Sequence, residues 1–346
     1  MKGTIMRILA AVVVLISAAT AQSLDPTVLR LLPADTGMLA GIEWRRLMQS
    51  PMMAAMEKDM HAAGMANNPL FAAIYKAIAN DVDAVVLAIP TAGLKPGAKN
   101  PPVLGIVKGR FDAGQIRSFT QQMRSFTQAK GTSEVYKNIE LLGWGTETDV
   151  HLALLDATTL VFGERPQVVA AIDRHAGARG AASSPRIARA QALAARNDVW
   201  FVADVPEGAF KDIPAGPHQV MSSILGLDVG MSFATGGLDF LASLRTKDEE
   251  SARSLQQMVQ GLVAMASMSQ EQPDAAAILR KVQVAAEPLG LRVSLSLDRA
   301  ELERRMQTML ASMRQPATAP DPEPAGPKTI RITGLDGGPI EIPVKK

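Results

Sequence analysis

Apolar and polar positions along the chain fall into a pattern that returns. An apolar, β-rich run ends at a short polar residue, and an amphipathic segment with period 3.6 begins directly after it. In "GRFDAGQIRSFTQQM", Gly109 to Met123, the preceding run Val103–Phe111 reads as a strand. Asp112 can accept from the first free amides of a helix, with Gln115 three residues on as in a capping box. Ile116, Phe119, Met123 and Phe126 then form one apolar face. The move returns in "LRTKDEESARSLQQM", with Thr246 and Glu249 in the capping roles and Leu255, Met258, Val259 and Leu262 as the stripe. It returns again in "LSLDRAELERRMQTM", with Asp298 and Glu301, then Leu302, Met306, Met309 and Met313.

The rest of the pattern extends this plan. Strands are expected at 83–90, 140–144, 151–155 and 159–163 around the first long helix, and Pro166 suits the first turn of a helix ending at His175. Later runs at 199–205, 229–234, 237–245, 282–287 and 290–297 read as strands, with helices over 248–269 and 299–313. Ser50-Pro51 and Ser184-Pro185 each read as a cap followed by a first-turn proline, and Met38–Trp44 reads as an N-terminal strand. Both halves therefore read as hairpin, helix, hairpin, helix. The expected fold class is α+β: antiparallel sheets with helices packed on one face, as duplicated split-βαβ, ferredoxin-like halves. The alternative is that capped strand-to-helix junctions simply recur in any α+β protein.

The ends differ from the body. Lys2 and Arg7 precede an apolar run from Ile8 to Ile16, and Ala19-Thr20-Ala21 supplies small residues, as in a signal peptide cleaved after Ala21. The run is shorter than the roughly 20 residues needed to cross a bilayer. The expected organisation is then a signal peptide at 1–21, an N-terminal α+β half at 22–197 and a C-terminal half at 198–315. A proline-rich linker at 316–327 and a β-hairpin tail at 328–346 follow. The linker, within "RQPATAPDPEPAGPKT", has no apolar face. The tail "TIRITGLDGGPIEIPVKK" alternates on both sides of Asp336-Gly337, which is a hairpin signal. A lone hairpin is marginal in water, so it either docks on its own body or adds strands to a partner protein.

Composition narrows the function. Without the leader the chain carries 34 basic and 34 acidic residues. A neutral chain with no basic stripe lacks the footprint of a nucleic-acid binder. No later segment is long and apolar enough to span a membrane. Cysteine is absent, which excludes disulfides, thiol nucleophiles, thiolate metal sites and lipid attachment at cysteine. The 47% hydrophobic content can build a core.

"LLPADTGMLAGIEW" directly after the leader resembles the opening of exported bacterial protein families of unknown function, which begin with a Leu-Pro-Ala-Asp-Thr-like segment and continue as repeated α+β units. The closing "IRITGLDGGPIEIPV" is similar to tails of other secreted bacterial proteins. The resemblance implies bacterial origin and a periplasmic or secreted location, and it carries no catalytic residues over to this chain.

Candidate chemistry is sparse. The sequence has no Gly-x-Ser-x-Gly elbow, phosphate-binding glycine loop or His-Glu-x-x-His. The histidines, His61, His151, His175 and His218, are scattered, and His151 opens an apolar strand. Asp81 and Asp83 could hold a divalent cation, but no further oxygen ligands follow at regular spacing, and ending a helix before a strand is the plainer role. Met52, Met53, Met56 and Met60 lie on one helical stretch beside His61. Thioethers suit Cu(I), yet methionine also fills helix–sheet cores and adapts to apolar ligands or partner helices. No catalytic, cofactor-binding or metal residue is assigned on this basis, and no cofactor is expected. The leading expectation is an exported, non-enzymatic binding or assembly module. The alternatives are an extracytoplasmic hydrolase with an unrecognised site and, more remotely, Met-rich Cu(I) or apolar-ligand binding.

Overall fold

Strand-forming runs pair here into one long sheet. The computed structural model describes residues 24–62, 80–94, 101–127, 130–145, 149–178, 180, 184–206, 208–210, 220–233, 237–268, 273–305, 329–332 and 340–343. The expected leader (1–21), the expected linker (316–327), His218 and Asp336-Gly337 lie outside them.

The chain opens with α1 (Pro26–Leu31), β1 (Thr36–Ile42), α2 (Trp44–Met48) and α3 (Pro51–Ala62). Next come β2 (Val82–Pro90), a 3-10 turn at Thr91–Leu94, β3 (Leu104–Gly109) and α4 (Ala113–Thr127). A meander follows: β4 (Lys130–Tyr136), β5 (Ile139–Gly145), β6 (Asp149–Asp156) and β7 (Thr159–Glu164). Helices α5 (Arg165–His175) and α6 (Pro185–Ala194) lead to β8 (Val199–Asp204), β9 (Ile224–Ser232) and β10 (Leu238–Thr246). Then come α7 (Glu249–Ser267), α8 (Pro273–Leu279), β11 (Gln283–Glu287) and β12 (Gly290–Leu297).

Twelve strands form one antiparallel sheet in the order β11-β12-β10-β9-β8-β1-β2-β3-β7-β6-β5-β4. The fold is α+β. Strand β1 pairs with β2 on one side and β8 on the other, so a single sheet runs through both expected halves. The 197/198 boundary falls between α6 and β8. In the second half β10 and β11 run parallel with β12 between them, a split βαβ through α7 and α8. In the first half β3 and β4 are also parallel, but β5, β6 and β7 fill the gap.

The helices do not all share a face, which corrects the one-face expectation. Alternate strand positions bury on opposite sides. Leu39, Val86, Leu104, Ile106, Ala153, Val161 and Val202 point to α1, α5 and α6, where Val28, Leu31, Val168, Ile172, Ile187 and Ala190 close the larger core. Val107, Leu152 and Leu160 point the other way, to Trp44 of α2 and Ile116 of α4. Cross-strand partners from Leu87 through Ala40, Phe201, Val229 and Ala242 to Val293 put the core under α7 on this second face. A sheet with two apolar faces needs a helix layer on each, and the sequence period cannot say which layer a helix joins.

Local signals set most boundaries. The Gln115 amide donates to Asp112 Oδ1 at 3.0 Å, Glu301 to Asp298 Oδ1 at 2.9 Å, Ile187 to Ser184 Oγ at 3.3 Å and Met53 to Ser50 Oγ at 3.3 Å. The cap of α7 is Asp248, not Thr246: Asp248 Oδ1 accepts from Ser251 at 2.8 Å, and the Thr246 hydroxyl donates to the Asp248 carbonyl. Leu262 also departs from expectation, being 52% exposed where the stripe should continue inward. The Met123 and Phe126 side chains lie outside the described set.

The chain divides into two units, Met1–Leu302 and Glu303–Lys346. In the second, β13 (Thr329–Ile332) pairs antiparallel with β14 (Ile340–Pro343), with Ile330 opposite Ile342.

Candidate functional site

Two features stand apart from the core: a polar cavity at the end of β1–β3, and an uncovered apolar helix end.

The cavity measures about 590 Å³ and is lined by Leu24, Asp25, Pro26 and Val28 around α1, by Glu43, Arg45, Arg46 and Gln49 around α2, by Asp83, Ala84 and Val86 of β2, and by Lys108 of β3. Glu43 follows directly on β1. On β8, the strand paired directly with β1 toward the other half, Trp200 stands opposite Gly41, and a Cβ at position 41 would come within 2.2 Å of that ring. The bare glycine lets the indole lie across β1, and its Nε1 then donates to Glu43 Oε1 at 3.1 Å. Burial pushes the Glu43 carboxyl above the usual range, while the Trp200 hydrogen bond and the Arg46 charge pull it partly back.

The cations around the cavity have partners. Arg46 Nε donates to Asp198 Oδ1 at 2.6 Å, and its Nη2 reaches the carbonyls of Ala194 and Asn197, clamping α2 to the end of α6. Arg45 pairs with Asp83. Lys108 Nζ donates to Thr159 Oγ1 at 2.9 Å and Thr158 Oγ1 at 3.1 Å, and lies 3.6 Å from Asp25 Oδ2. Asp25 Oδ1 accepts the Thr27 amide at 2.6 Å, which caps α1. No Ser, Thr, His or Tyr is among the lining residues.

A second polar cluster ties α6 to the sheet. Asp204 Oδ1 accepts from Arg189 at 2.9 Å and Arg245 at 2.5 Å, and its Oδ2 accepts from Arg186 at 2.8 Å. Arg189 also pairs with Asp228 at 3.0 Å. Burial acts upward on Asp204, but the Arg186 hydrogen bond and the three guanidinium charges hold its carboxyl below the usual range. Asp228 is raised, with burial outweighing Arg189.

The apolar feature is the end of α7. Leu262, Met265 and Met268 are 52%, 68% and 78% exposed, in a stretch with no charged residue from Ser254 to Gln270. Earlier turns of the same helix bury Ala252 and Leu255.

The residues singled out from sequence do not converge. Asp81 ends a helical turn before β2 and its carbonyl accepts the Arg110 amide at 2.8 Å, whereas Asp83 turns to Arg45. Met53 is core at 5% exposure, and Met52 and Met56 are half-buried on α3. The side chains of Met60 and His61 lie outside the described set. His151 is buried on β6, and His175 ends α5. Among the described residues no three His, Asp or Glu side chains converge. Sequence reasoning passed over Glu43 and Lys108, because 65 positions separate them and only strand pairing brings them together.

No protein-family model and no curated protein matches this chain. Among solved structures it is similar to TP0453. Crystal form III aligns at TM-score 0.49 and 11% identity over 83% of this chain and 99% of that one. Crystal form IV aligns at TM-score 0.48 and 12% identity over 84% and 98%. No helix among the described residues is long and apolar enough to cross a membrane.

Proposed function

We propose that this chain is an exported, non-enzymatic binding module that engages another protein through the exposed end of α7. One observation carries the reading: two turns of an otherwise seated helix present Leu262, Met265 and Met268 to solvent in a stretch of chain that itself carries no charged residue. Exposed apolar side chains grouped in this way mark contact sites, and methionine adapts to varied partner shapes. The tail hairpin offers a second attachment by strand addition.

The test is affinity capture with the full chain and with a Leu262→Ser, Met265→Gln variant, each checked for an unchanged thermal transition. The variant should lose specific partners that the parent retains, and identical partner sets would refute the surface. A chain ending before Ile330 probes the hairpin in the same way. N-terminal sequencing of exported protein should begin at Gln22. The parallel βαβ crossings of the two halves support an internal duplication. That idea fails if β1–β3 and α4 cannot be superposed on β8–β10 and α7 in register.

A further inference from the structure

We infer that the cavity beside α1 is a binding site for a small zwitterion of the amino-acid or short-peptide class, its amine held by Glu43 and its carboxylate drawn to Lys108 and Arg45. The site is independent of the α7 surface.

Strand register builds it. Ile42 pairs with Val85, so Glu43 stands level with Ala84, and Ala84 pairs with Lys108. Methyl and ammonium thus lie on adjacent strands and the carboxylate just past the end of a third, on the face that carries Val86 and Ile106. Neighbouring strands are spaced about 4.8 Å, so the two charged residues stand about 10 Å apart at the backbone. Ala84 is the small residue between them, and it leaves the floor open. Leu24, Pro26 and Val28 form an apolar wall. At about 590 Å³ the space is in the range of small-molecule sites.

Glu43 stands apart from the paired charges of the lining, in which Arg45 meets Asp83 and Lys108 lies near Asp25. One Glu43 oxygen accepts from Trp200, and the other has no donor among the described residues. A half-buried carboxylate in that condition favours an incoming cationic donor. Its raised proton affinity has burial as the first cause, which agrees with a charge not fully compensated by the protein. Across the floor, Lys108 spends two bonds on neutral hydroxyls and forms a loose ion pair with Asp25 at 3.6 Å, longer than a hydrogen bond. Arg45 contacts only one oxygen of Asp83 and is 44% exposed. An anion alone would meet Glu43, and a cation alone would meet Lys108. A molecule carrying both charges satisfies both ends.

The test is isothermal titration of the full chain at neutral pH with a panel of free amino acids and dipeptides. Isopentylamine serves as the amine-only control and isovalerate as the carboxylate-only control. At least one zwitterion should bind, and both controls should bind more weakly. Glu43→Gln should weaken that zwitterion roughly tenfold or more while the thermal midpoint stays near that of the parent. Ala84→Leu, which fills the floor, should abolish binding. The inference is overturned if no zwitterion binds. It is equally overturned if the controls match the zwitterions, or if binding survives both substitutions in folded protein.

Discussion

Gly41 shows how one missing side chain shapes its surroundings. The Trp200 ring occupies the space a Cβ would need, and its reach to Glu43 depends on that position. Gly41→Ala should displace the ring, cost about 1–3 kcal/mol and shift the tryptophan emission, measured by urea unfolding followed by fluorescence. An unchanged midpoint and spectrum would show that the ring is not pinned. Asp204 sets a second residue-scale expectation. Its carboxyl is held below the usual range in the folded protein, so its contribution is complete above the unfolded value of about 3.9. That contribution is lost as pH falls from there through the folded value. Asp228 is raised and works with the opposite sign, costing stability as pH rises through its window. Asp204→Asn should therefore be less stable than the parent at pH 7, with the difference closing below about pH 4. Urea midpoints across pH check this, and a constant difference would refute it.

Among elements, the caps make the sharpest claims. Asp248→Ala removes the acceptor for the Ser251 amide and should cost about 1 kcal/mol in chemical denaturation. If Thr246→Ser costs more than Asp248→Ala, the cap has been misassigned. The caps also show what was legible in the sequence. Asp112, Ser184 and Asp298 act within three residues, so their role is written locally, and β12 falls at 290–297 as its alternation indicates. Strand β4, "KGTSEVY", gives no apolar alternation because it is the sheet's edge and buries little. Helix α1 is only six residues long, too short to show a period. The start of β9 hides behind Gly226 and Asp228, which sit against Arg245 and Arg189 instead of in an apolar core. The cavity was invisible for a related reason. Ala84 and Lys108 belong to two strands and Glu43 follows a third, and nothing in the one-dimensional spacing of a Glu, an Ala and a Lys announces that register will align them.

At the scale of the whole molecule, β1 joins everything. It hydrogen-bonds to β2 and β8 at once, and the body up to Leu302 forms one unit. Ala40→Pro, in mid-strand, removes a ladder donor and should destabilise both halves together by about 3 kcal/mol or more. Hydrogen exchange should then report faster exchange in β10 and β12 as well as in β3 and β7. Retained protection of either set would mean that the halves fold separately.

The position of β1 also bears on how the chain is made. Among the described strands it is the first in chain order, yet its β8 neighbour emerges about 160 residues later. At synthesis rates of about 5–20 residues per second, one side of β1 waits roughly 10–30 s for its mate. A nascent chain with that open flank invites capture by a holding chaperone, and a slowed translation rate should lengthen the window in which it can misassemble.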